Sequence, residues 1–453
     1  MSYGGSQMEK RKKHDLKKYC KMTKIKFWGF SMIGLLIFVI PLEIGGVRQI
    51  GLVHFGNCIT AILGSASEYV ICGFAFGGVL LIVREGKKRF SGFFNTFMTC
   101  MSLMGAVCII LYILGLAPSF LMEERFMPFI MKQVLYPTLL YTGISPFFMP
   151  FLLDWGLLES VGVLFKPILR PLFKLPGRAA VITVSAFFGS APVGIITVDN
   201  LYKDGRFTYK EAFIVGTGFS TTAISFMVIL SELGGITEFW GIYFFACLAG
   251  LALTAIVMVR VYPTAGKPES TYGGQVYEME EEADWEAGLI TRMLDAGYKK
   301  AGNALGLRQN CISMVKNSGT LLCNMIGSSC GMVILGLMLN YYTPILEWAG
   351  YLFYPFALIS GCADPMMVGK GAAVAMVVPS LPAVYAAMEE NLVSKIVLCS
   401  MPVLSIVSIP LTMPVFFNTA VKYSAKDLFL IYVERMILSI IIVSVIVHFY
   451  TWF

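Results

Sequence analysis

The sequence predicts an all-α protein that crosses a membrane several times. Of its 453 residues, 57% are hydrophobic and only 14% are charged, whereas a soluble domain carries about a quarter charged residues. The mean hydropathy is +0.73. Apolar stretches of the roughly 20 residues that a helix needs to span a bilayer recur along the chain. The alternating segments of about ten residues that build membrane strand barrels are absent from the sequence.

A basic arm, residues 1–26, precedes the first apolar stretch. Nine of the residues from Lys10 to Lys26 are Lys or Arg. Such a cluster is typical of a positive-inside anchor and places the N-terminus in the cytoplasm, in a bacterial inner or plasma membrane. A patch for nucleic acid or anionic lipid is the alternative. We favour the anchor and expect membrane lipid, not nucleic acid, around the chain.

Two regions of predicted membrane helices precede residue 264, and the second of them includes an apolar segment interrupted by Gly and Pro. Residues 27–130 contain three predicted transmembrane helices: Phe27–Val47, Cys58–Val83 and Phe94–Leu116. Residues 131–263 contain a fourth span, a charged interfacial helix, a broken apolar segment and two further spans: Val134–Trp155, Leu158–Leu172, Ala179–Asn200, Glu211–Leu230 and Trp240–Val261. Residues 264–317 are polar and are interpreted as a solvated cytoplasmic linker. A regulatory domain is the alternative.

The last part, residues 318–453, repeats the order of residues 131–263. Its predicted elements are Ser318–Asn340, Pro344–Ile359, Gly371–Met388, Leu392–Pro414 and Leu428–Trp452. LESVGVLFKPI, from Leu158, resembles LEWAGYLFYPF, from Leu346, and further matches follow in the same order. Internal similarity of this kind indicates a structural repeat. The positive-inside rule then favours one hairpin and three membrane crossings in the first copy. An odd number of crossings would place the second copy in the inverted orientation.

Each repeat is predicted to contain a re-entrant hairpin that lines a solute site. Ala179–Asn200 and Gly371–Met388 are both interrupted by Pro or Gly, and broken segments in matching positions of inverted repeats indicate a site near the middle of the membrane. Backbone groups and hydroxyls there could bind a polar, mostly uncharged solute. Helix packing by Ser and Thr is the alternative for each single residue. The candidate solute-binding residues are Ser190, Pro192, Gly194, Ser220, Thr221, Ser225, Ser380, Pro382 and Ser405.

Among the acidic residues, Glu68 is the candidate for coupling to a proton or cation. It lies inside an apolar segment, where an ionisable side chain is rare. A structural hydrogen bond is the alternative. The sequence has three His and eleven scattered Cys, so it favours neither a metal site nor a catalytic triad. We expect no cofactor and no enzymatic activity.

Four stretches between Asp154 and Ser225 carry a resemblance to a known domain. PILRPLFKLPGRAAV, FFGSAPVGI, LYKDGRFTYKEA and GFSTTAIS resemble the Gate, or nucleoside-recognition, domain shared by concentrative nucleoside transporters and the FeoB iron transporter. Their order, together with MIGLLIFVIPLEIGG in the first span, is similar to the bacterial YjiH family over nearly the full length. The resemblance implies two Gate-like halves, and similar folds often assemble as homo-oligomers. The chain lacks the G-x-x-x-x-G-K-[ST] motif of FeoB, and the nucleoside and sodium motifs of the concentrative transporters match no particular residues here.

The sequence therefore favours a secondary transporter of a small polar solute. No ATP-binding motif is present, so H⁺ or Na⁺ coupling or facilitated passage is expected. A nucleoside-like solute is implied by the resemblance alone. The alternative is a non-transporting membrane scaffold or signalling component, similar to the spore Gate-domain proteins SpmA and SpmB, with residues 264–317 as its docking segment.

Overall fold

The computed structural model is built almost entirely of helices. It describes residues 19–64, 66–90, 92–177, 179–180, 182–183, 191–220, 224–274, 288–304, 307–409, 412–417 and 419–452. Five described helices are long and apolar enough to cross a membrane: Ala66–Glu85, Asn95–Ile113, Thr237–Met258, Leu322–Tyr342 and Ala425–Trp452. The prediction of an all-α, polytopic membrane protein is confirmed.

The N-terminal region contains four helices and a β-hairpin. Its elements are α1 (Lys21–Phe38), β1 (Pro41–Ile44), β2 (Val47–Ile50), α2 (Gly51–Leu63), α3 (Ala66–Glu85) and α4 (Phe93–Ile113). The predicted span Phe27–Val47 is wrong at its end, because the antiparallel strands replace its last turns. Gly45 and Gly46 have φ of 64° and 80°, which suits a two-residue hairpin turn. The predicted span Cys58–Val83 is two helices, because α2 ends at Leu63 and is followed by Gly64, whose φ is 48°.

Short helical segments lead from α4 into the fourth span. They are α5 (Ser119–Met122), α6 (Met127–Phe129), a π-helical segment (Ile130–Leu135), α7 (Tyr136–Leu153) and α8 (Leu157–Phe173). Helix α8 buries Leu158, Leu169 and Phe173 on one side, and Pro167 and Pro171 lie inside it. The extent of this helix agrees with the sequence prediction. Its location at the membrane interface stays a prediction.

The next four helices include two that the sequence predicted as a single continuous span. They are α9 (Ala191–Lys203), α10 (Tyr209–Gly218), α11 (Ile224–Leu233) and α12 (Trp240–Met258). A capping box starts α10, where Thr208 and Glu211 exchange side-chain and backbone hydrogen bonds,. The predicted span Glu211–Leu230 is wrong as a single helix, since the chain is non-helical at Phe219 and Ser220.

The polar segment after α12 is bound to the bundle at both of its described ends. Backbone amides of Tyr209 and Lys210 donate to Ser270 O and Pro268 O at 2.8 and 3.1 Å. Helix α13 (Leu289–Gly302) packs against α8 and α1. These contacts attach the described parts of the segment to the bundle, and its role as a solvated cytoplasmic linker stays a prediction. The following helix, α14 (Leu307–Tyr342), has 36 residues and begins well before the predicted span.

Seven helices are described in the C-terminal region. They are α15 (Ile345–Gly350), α16 (Tyr354–Ile359), α17 (Pro365–Val374), α18 (Leu381–Met388), α19 (Leu392–Ser405), α20 (Met413–Phe417) and α21 (Ala425–Trp452). Helices α17 and α18 contact each other, and α19 contacts α11, α12 and α21. The predicted span Leu392–Pro414 is wrong as one helix because α19 ends at Ser405. The inverted relation between the two repeats stays a prediction.

Glycines allow α14 to approach its neighbours at backbone distance. A Cβ atom on Gly105 of α4 would overlap Gly327 O, and one on Gly331 would overlap Met101 O. On α3, a Cβ on Gly78 would overlap Cys323 O. Small residues permit this contact between spanning helices, whose association depends on close van der Waals packing. These glycines attach the N-terminal helices to the C-terminal region.

Candidate functional site

Two buried helices are interrupted in the interior of the bundle. Helix α10 ends at Gly218, and the chain is non-helical at Phe219 and Ser220. Helix α19 ends at Ser405, and Ile406 adopts φ of 58°. The last carbonyls of a helix have no partner within that helix. Inside a membrane protein these carbonyls must be satisfied by other protein groups or line a polar cavity.

Arg435 of α21 satisfies carbonyls at both interruptions. Its side chain is 0% exposed. The Nε atom donates to Leu404 O at 2.5 Å, and Nη1 donates to Thr217 O and Gly218 O at 3.3 and 3.4 Å. A cation suits this place because the C-terminal end of a helix carries partial negative charge. One guanidinium therefore joins the broken helix of each predicted repeat.

The interruption after α19 is held in a strained conformation. A β-branched residue with positive φ is an outlier, and such a backbone costs on the order of 1–3 kcal/mol. Ile406 is 3% exposed. The Oγ1 atom of Thr412 donates to Ile406 O at 2.8 Å and accepts from Ser408 N at 2.8 Å. These two bonds stabilise the non-helical loop.

We expect Thr412→Val to destabilise the protein by about 2 kcal/mol, because Val keeps the shape and leaves a buried carbonyl and a buried amide unpaired. The free energy of unfolding in detergent, measured by denaturant titration, tests this. Thr254→Val is the matched control, since Thr254 is buried and its hydroxyl has no hydrogen-bond partner among the described residues. Equal unfolding free energies for the two variants would contradict the role given to Thr412.

The hairpin formed by α17 and α18 contacts the second interruption. The backbone amide of Ile409 donates to Met376 O, in the turn between the two helices, at 2.8 Å. Tyr432 of α21 donates its hydroxyl proton to Ala372 O at 2.5 Å. Hydrogen bonds thus connect the hairpin turn to the interruption after α19, and the hairpin to α21. Its entry from one side of the membrane, as a re-entrant hairpin, stays a prediction.

A cavity of about 290 Å³ lies beside this hairpin, between α14, α17, α18 and the segment before α7. Its lining includes Arg125, Asn340, Tyr341, Asp364, Lys370 and Tyr385. The Tyr385 hydroxyl donates to Asn340 Oδ1 at 2.9 Å, and the Arg125 guanidinium lies 5.0 Å from the Tyr341 ring centre. The cavity therefore offers aromatic walls and an amide group.

The two cations at this cavity already have acidic partners. Arg125 pairs with Glu123 at 2.6 Å, and Lys370 pairs with Glu347 at 2.7 Å. Both pairs are exposed enough for water to weaken them. Because each of these two cations is already paired with a carboxylate, the cavity suits a polar and uncharged solute better than an anion.

Of the predicted solute-binding residues that the structure describes, Ser220 and Ser405 lie at the interruptions and Ser380 and Pro382 belong to the hairpin, whereas Gly194 and Ser225 lie on α9 and α11. Ser220 and Ser405 are buried next to the ends of α10 and α19, and their hydroxyls lie 3.5 and 3.1 Å from Val215 O and Pro402 O. The other described residues are Gly194, buried on α9, Ser225, half-buried on α11, Ser380, half-buried before α18, and Pro382, buried on α18. Ser190, Thr221 and the side chain of Pro192 lie outside the described residues.

Glu68 lies in the first turn of α3 and is half-buried. It is therefore at a helix end, away from the hairpin and the two interruptions. The sequence analysis missed Arg435, Thr412 and Glu389, the residue directly after α18. An ionisable side chain inside the predicted span Leu428–Trp452 was the available signal for Arg435.

Other acidic residues act at helix ends and loops. Glu159 and Glu347 lie in the first turns of α8 and α15. Asp199 is 5% exposed, and its Oδ1 accepts from Ala420 N and Val421 N at 2.6 and 3.3 Å. It fixes the loop before α21 to α9. Within the described part of the chain, no group of three or more His, Cys, Asp or Glu is arranged to hold a metal ion.

The Gate family model, described as nucleoside recognition, matches residues 138–237. An uncharacterised protein of Alkalihalophilus pseudofirmus is 24% identical over 446 residues, which cover 94% of each chain. A structure of CNTnw in an inward-facing, substrate-bound state has a TM-score of 0.43 and 15% identity over 97% of this chain and 93% of that one. A CNTnw variant in an outward-facing state has a TM-score of 0.37 and 13% identity over 95% and 91%.

The matched region begins in α7 and includes α8 to α11, with the first interruption. It contains the four sequence stretches that carried the resemblance. The chain therefore carries a Gate, or nucleoside-recognition, domain over residues 138–237.

Proposed function

We propose that this protein is a secondary transporter of a small, polar, nucleoside-like solute. The observation that carries the proposal is the pair of interrupted helices joined by Arg435 and covered by the α17–α18 hairpin. In lipid, a continuous helix pairs its backbone N–H and C=O groups internally, whereas an interrupted helix leaves some of them unpaired. Interrupted helices in transporters commonly use these groups to bind a solute or an ion. We place the solute between the interruptions and the hairpin, with access through the cavity near Asn340.

The nucleoside-like class rests on two supports. The Gate family model is described as nucleoside recognition. The cavity has an amide, two tyrosines and paired charges, and buried polar groups that bind a hydroxyl or an amide can discriminate strongly against analogues that lack it. We propose a bacterial inner membrane, with the basic arm in the cytoplasm, and coupling to H⁺ or Na⁺.

The alternative, a membrane scaffold that docks partners through residues 264–317, has less support. Helix α13 already packs on its own chain: Ser160 donates to Met293 O at 3.0 Å, and Lys300 pairs with Glu159 at 3.2 Å. Trp28 donates to the Tyr298 hydroxyl at 3.1 Å. One side of α13 is therefore engaged with α8 and α1.

Ligand-dependent thermal unfolding of the purified protein in detergent tests the proposed function. The ligands are uridine, adenosine, uracil, glycylglycine, succinate and alanine. A ligand present at about 100 times its dissociation constant stabilises the folded state by roughly 2.7 kcal/mol. We expect stabilisation by a nucleoside and uptake of that nucleoside into proteoliposomes under an imposed H⁺ or Na⁺ gradient. A folded protein that binds and takes up none of these solutes would contradict the proposal.

Two serine variants locate the site. Ser220→Ala and Ser405→Ala each remove one hydroxyl, and loss of one hydrogen bond weakens binding roughly tenfold. Ser31→Ala is the control, because Ser31 is buried in α1 and its hydroxyl has no partner among the described residues. If all three variants bind the nucleoside equally, the solute does not contact the interruptions.

A further inference from the structure

Glu389 is a buried acidic residue at the open end of the α17–α18 hairpin. It directly follows α18, and its side chain is only 9% exposed. Its Oε1 atom is buried and has no hydrogen-bond partner among the described residues. A buried carboxylate without a partner is costly, so it is normally neutralised by a proton, an ion or a positive side chain. The next residue, Glu390, is exposed.

A second carboxylate, Asp364, begins the other arm of the hairpin and acts electrostatically on Glu389. Asp364 is the N-cap of α17, and its Oδ1 accepts from Met366 N and Met367 N at 3.0 and 2.9 Å. The pKa of Glu389 is raised above its usual range, first by burial and then by the charge of Asp364, whereas Lys395 of α19 opposes this shift. The thiol of Cys362, a buried residue, also interacts electrostatically with Glu389.

The surroundings of this carboxylate pair are held firmly. Ser394, fully buried in the first turn of α19, accepts from Ala363 N at 2.9 Å. Asn391 caps α19 by accepting from Val393 N and Ser394 N at 2.9 and 3.1 Å. The backbone on both sides of the hairpin's open end is therefore anchored by hydrogen bonds beside Glu389.

The pair also adjoins the solute cavity. Asp364 lines the cavity, and so does Met388, the residue before Glu389. A positive charge taken up here would therefore lie in the wall of the proposed solute pathway. Binding of a cation and of a solute at adjacent places can be coupled, and each then changes the affinity for the other by the same factor.

We propose that Glu389, together with Asp364, is the coupling site of the transporter and binds a monovalent cation, either a proton on Glu389 or Na⁺ between the two carboxylates. The inference rests on the proposed function. Two carboxylates fall short of the six to eight oxygen ligands that Ca²⁺ takes. Neutralisation of the pair removes the charge repulsion between the two carboxylates at the open end of the hairpin.

The variant Glu389→Gln tests the site because it is permanently neutral and nearly the same shape. Glu390→Gln, in the same loop, is the matched control. Purified wild-type protein and both variants are melted between pH 5 and 8, and in NaCl against choline chloride at constant ionic strength. Uridine uptake into proteoliposomes is then measured under an imposed pH or Na⁺ gradient.

The sign of the pH effect follows from the raised pKa. The folded protein binds the Glu389 proton more tightly than the unfolded chain does, so wild-type stability falls as pH rises through the folded-state pKa. We expect Glu389→Gln to lose this pH dependence, or the Na⁺ dependence if Na⁺ is the ion. The variant should also be the more stable protein at pH 8, because it removes a buried charge.

In the transport assay we expect Glu390→Gln to behave like wild type. Uptake by Glu389→Gln should fall to the level reached without a gradient. Gradient-driven uptake that survives in Glu389→Gln overturns the coupling site and leaves the transporter proposal standing. Conversely, cation-dependent melting that requires Glu389, in a protein that takes up and binds no solute of the panel, supports the cation site and refutes the proposed function.

Discussion

Arg435→Met is expected to loosen both helix interruptions at once and to destabilise the protein by about 3 kcal/mol. The substitution keeps most of the side-chain volume but leaves Leu404 O, Thr217 O and Gly218 O without their donor. Each buried acceptor left unpaired costs about 1–3 kcal/mol. Arg435→Met also removes the cost of burying a charged guanidinium, which offsets part of this loss. The expected destabilisation is therefore smaller than the sum for three unpaired carbonyls.

Hydrogen exchange distinguishes this role from general packing. Amides near residues 215–220 and 404–409 should exchange faster together in Arg435→Met, while α4 should be unchanged. Arg435→Lys keeps the charge but lacks the planar fork that reaches two helix ends, and we expect it to protect only one interruption. Unchanged exchange at both interruptions in Arg435→Met would show that other groups hold them.

Gly105→Ala is expected to disrupt the packing of α4 on α14. Its Cβ would overlap Gly327 O and lie 2.6 Å from Gly331 N, and backbone atoms cannot rotate away. Overpacking costs typically 1–3 kcal/mol and more where nothing can yield, so we expect a loss of at least about 3 kcal/mol. The melting temperature and the yield of monodisperse protein in detergent measure the effect.

Gly73→Ala is the control for this prediction. Gly73 lies in α3, and a Cβ there would meet nothing within 4 Å. Ala is better than Gly inside a helix by roughly 0.5–1 kcal/mol, so this variant should melt at or above the wild-type temperature. Similar melting of Gly73→Ala and Gly105→Ala would mean that α4 and α14 are not held at backbone contact.

Hydropathy predicted the uninterrupted spans well, because an apolar stretch bounded by polar residues leaves few alternatives in a bilayer. The predicted Trp240–Val261 and Phe94–Leu116 correspond to α12 (Trp240–Met258) and α4 (Phe93–Ile113). The interruptions after Gly218 and Ser405 were missed, because neither Phe219 nor Ile406 differs in polarity from the helices around it. Tertiary contacts, mainly those of Arg435 and Thr412, hold those breaks, and single-sequence periodicity does not report them.

The candidate site was predictable in part. Hydroxyls on an apolar stretch drew attention to Ser220 and Ser405, and the structure places both at helix ends. Glu389 was missed because the adjacent Glu390 makes the segment read as an ordinary polar loop. Only the fold reveals that one of these two neighbouring carboxylates is buried and the other is exposed.

The length of α14 has a mechanical consequence. A helix of 36 residues is about 54 Å long, whereas the hydrocarbon core of a bilayer is about 30 Å thick. Even a tilted α14 therefore extends beyond the lipid at its polar N-terminal end, close to where α13 stops. Its polar N-terminal part and its membrane part belong to one unbroken helix. Glycines hold the membrane part against α4 at backbone distance, so a change in the tilt of α14 would require α4 to move with it.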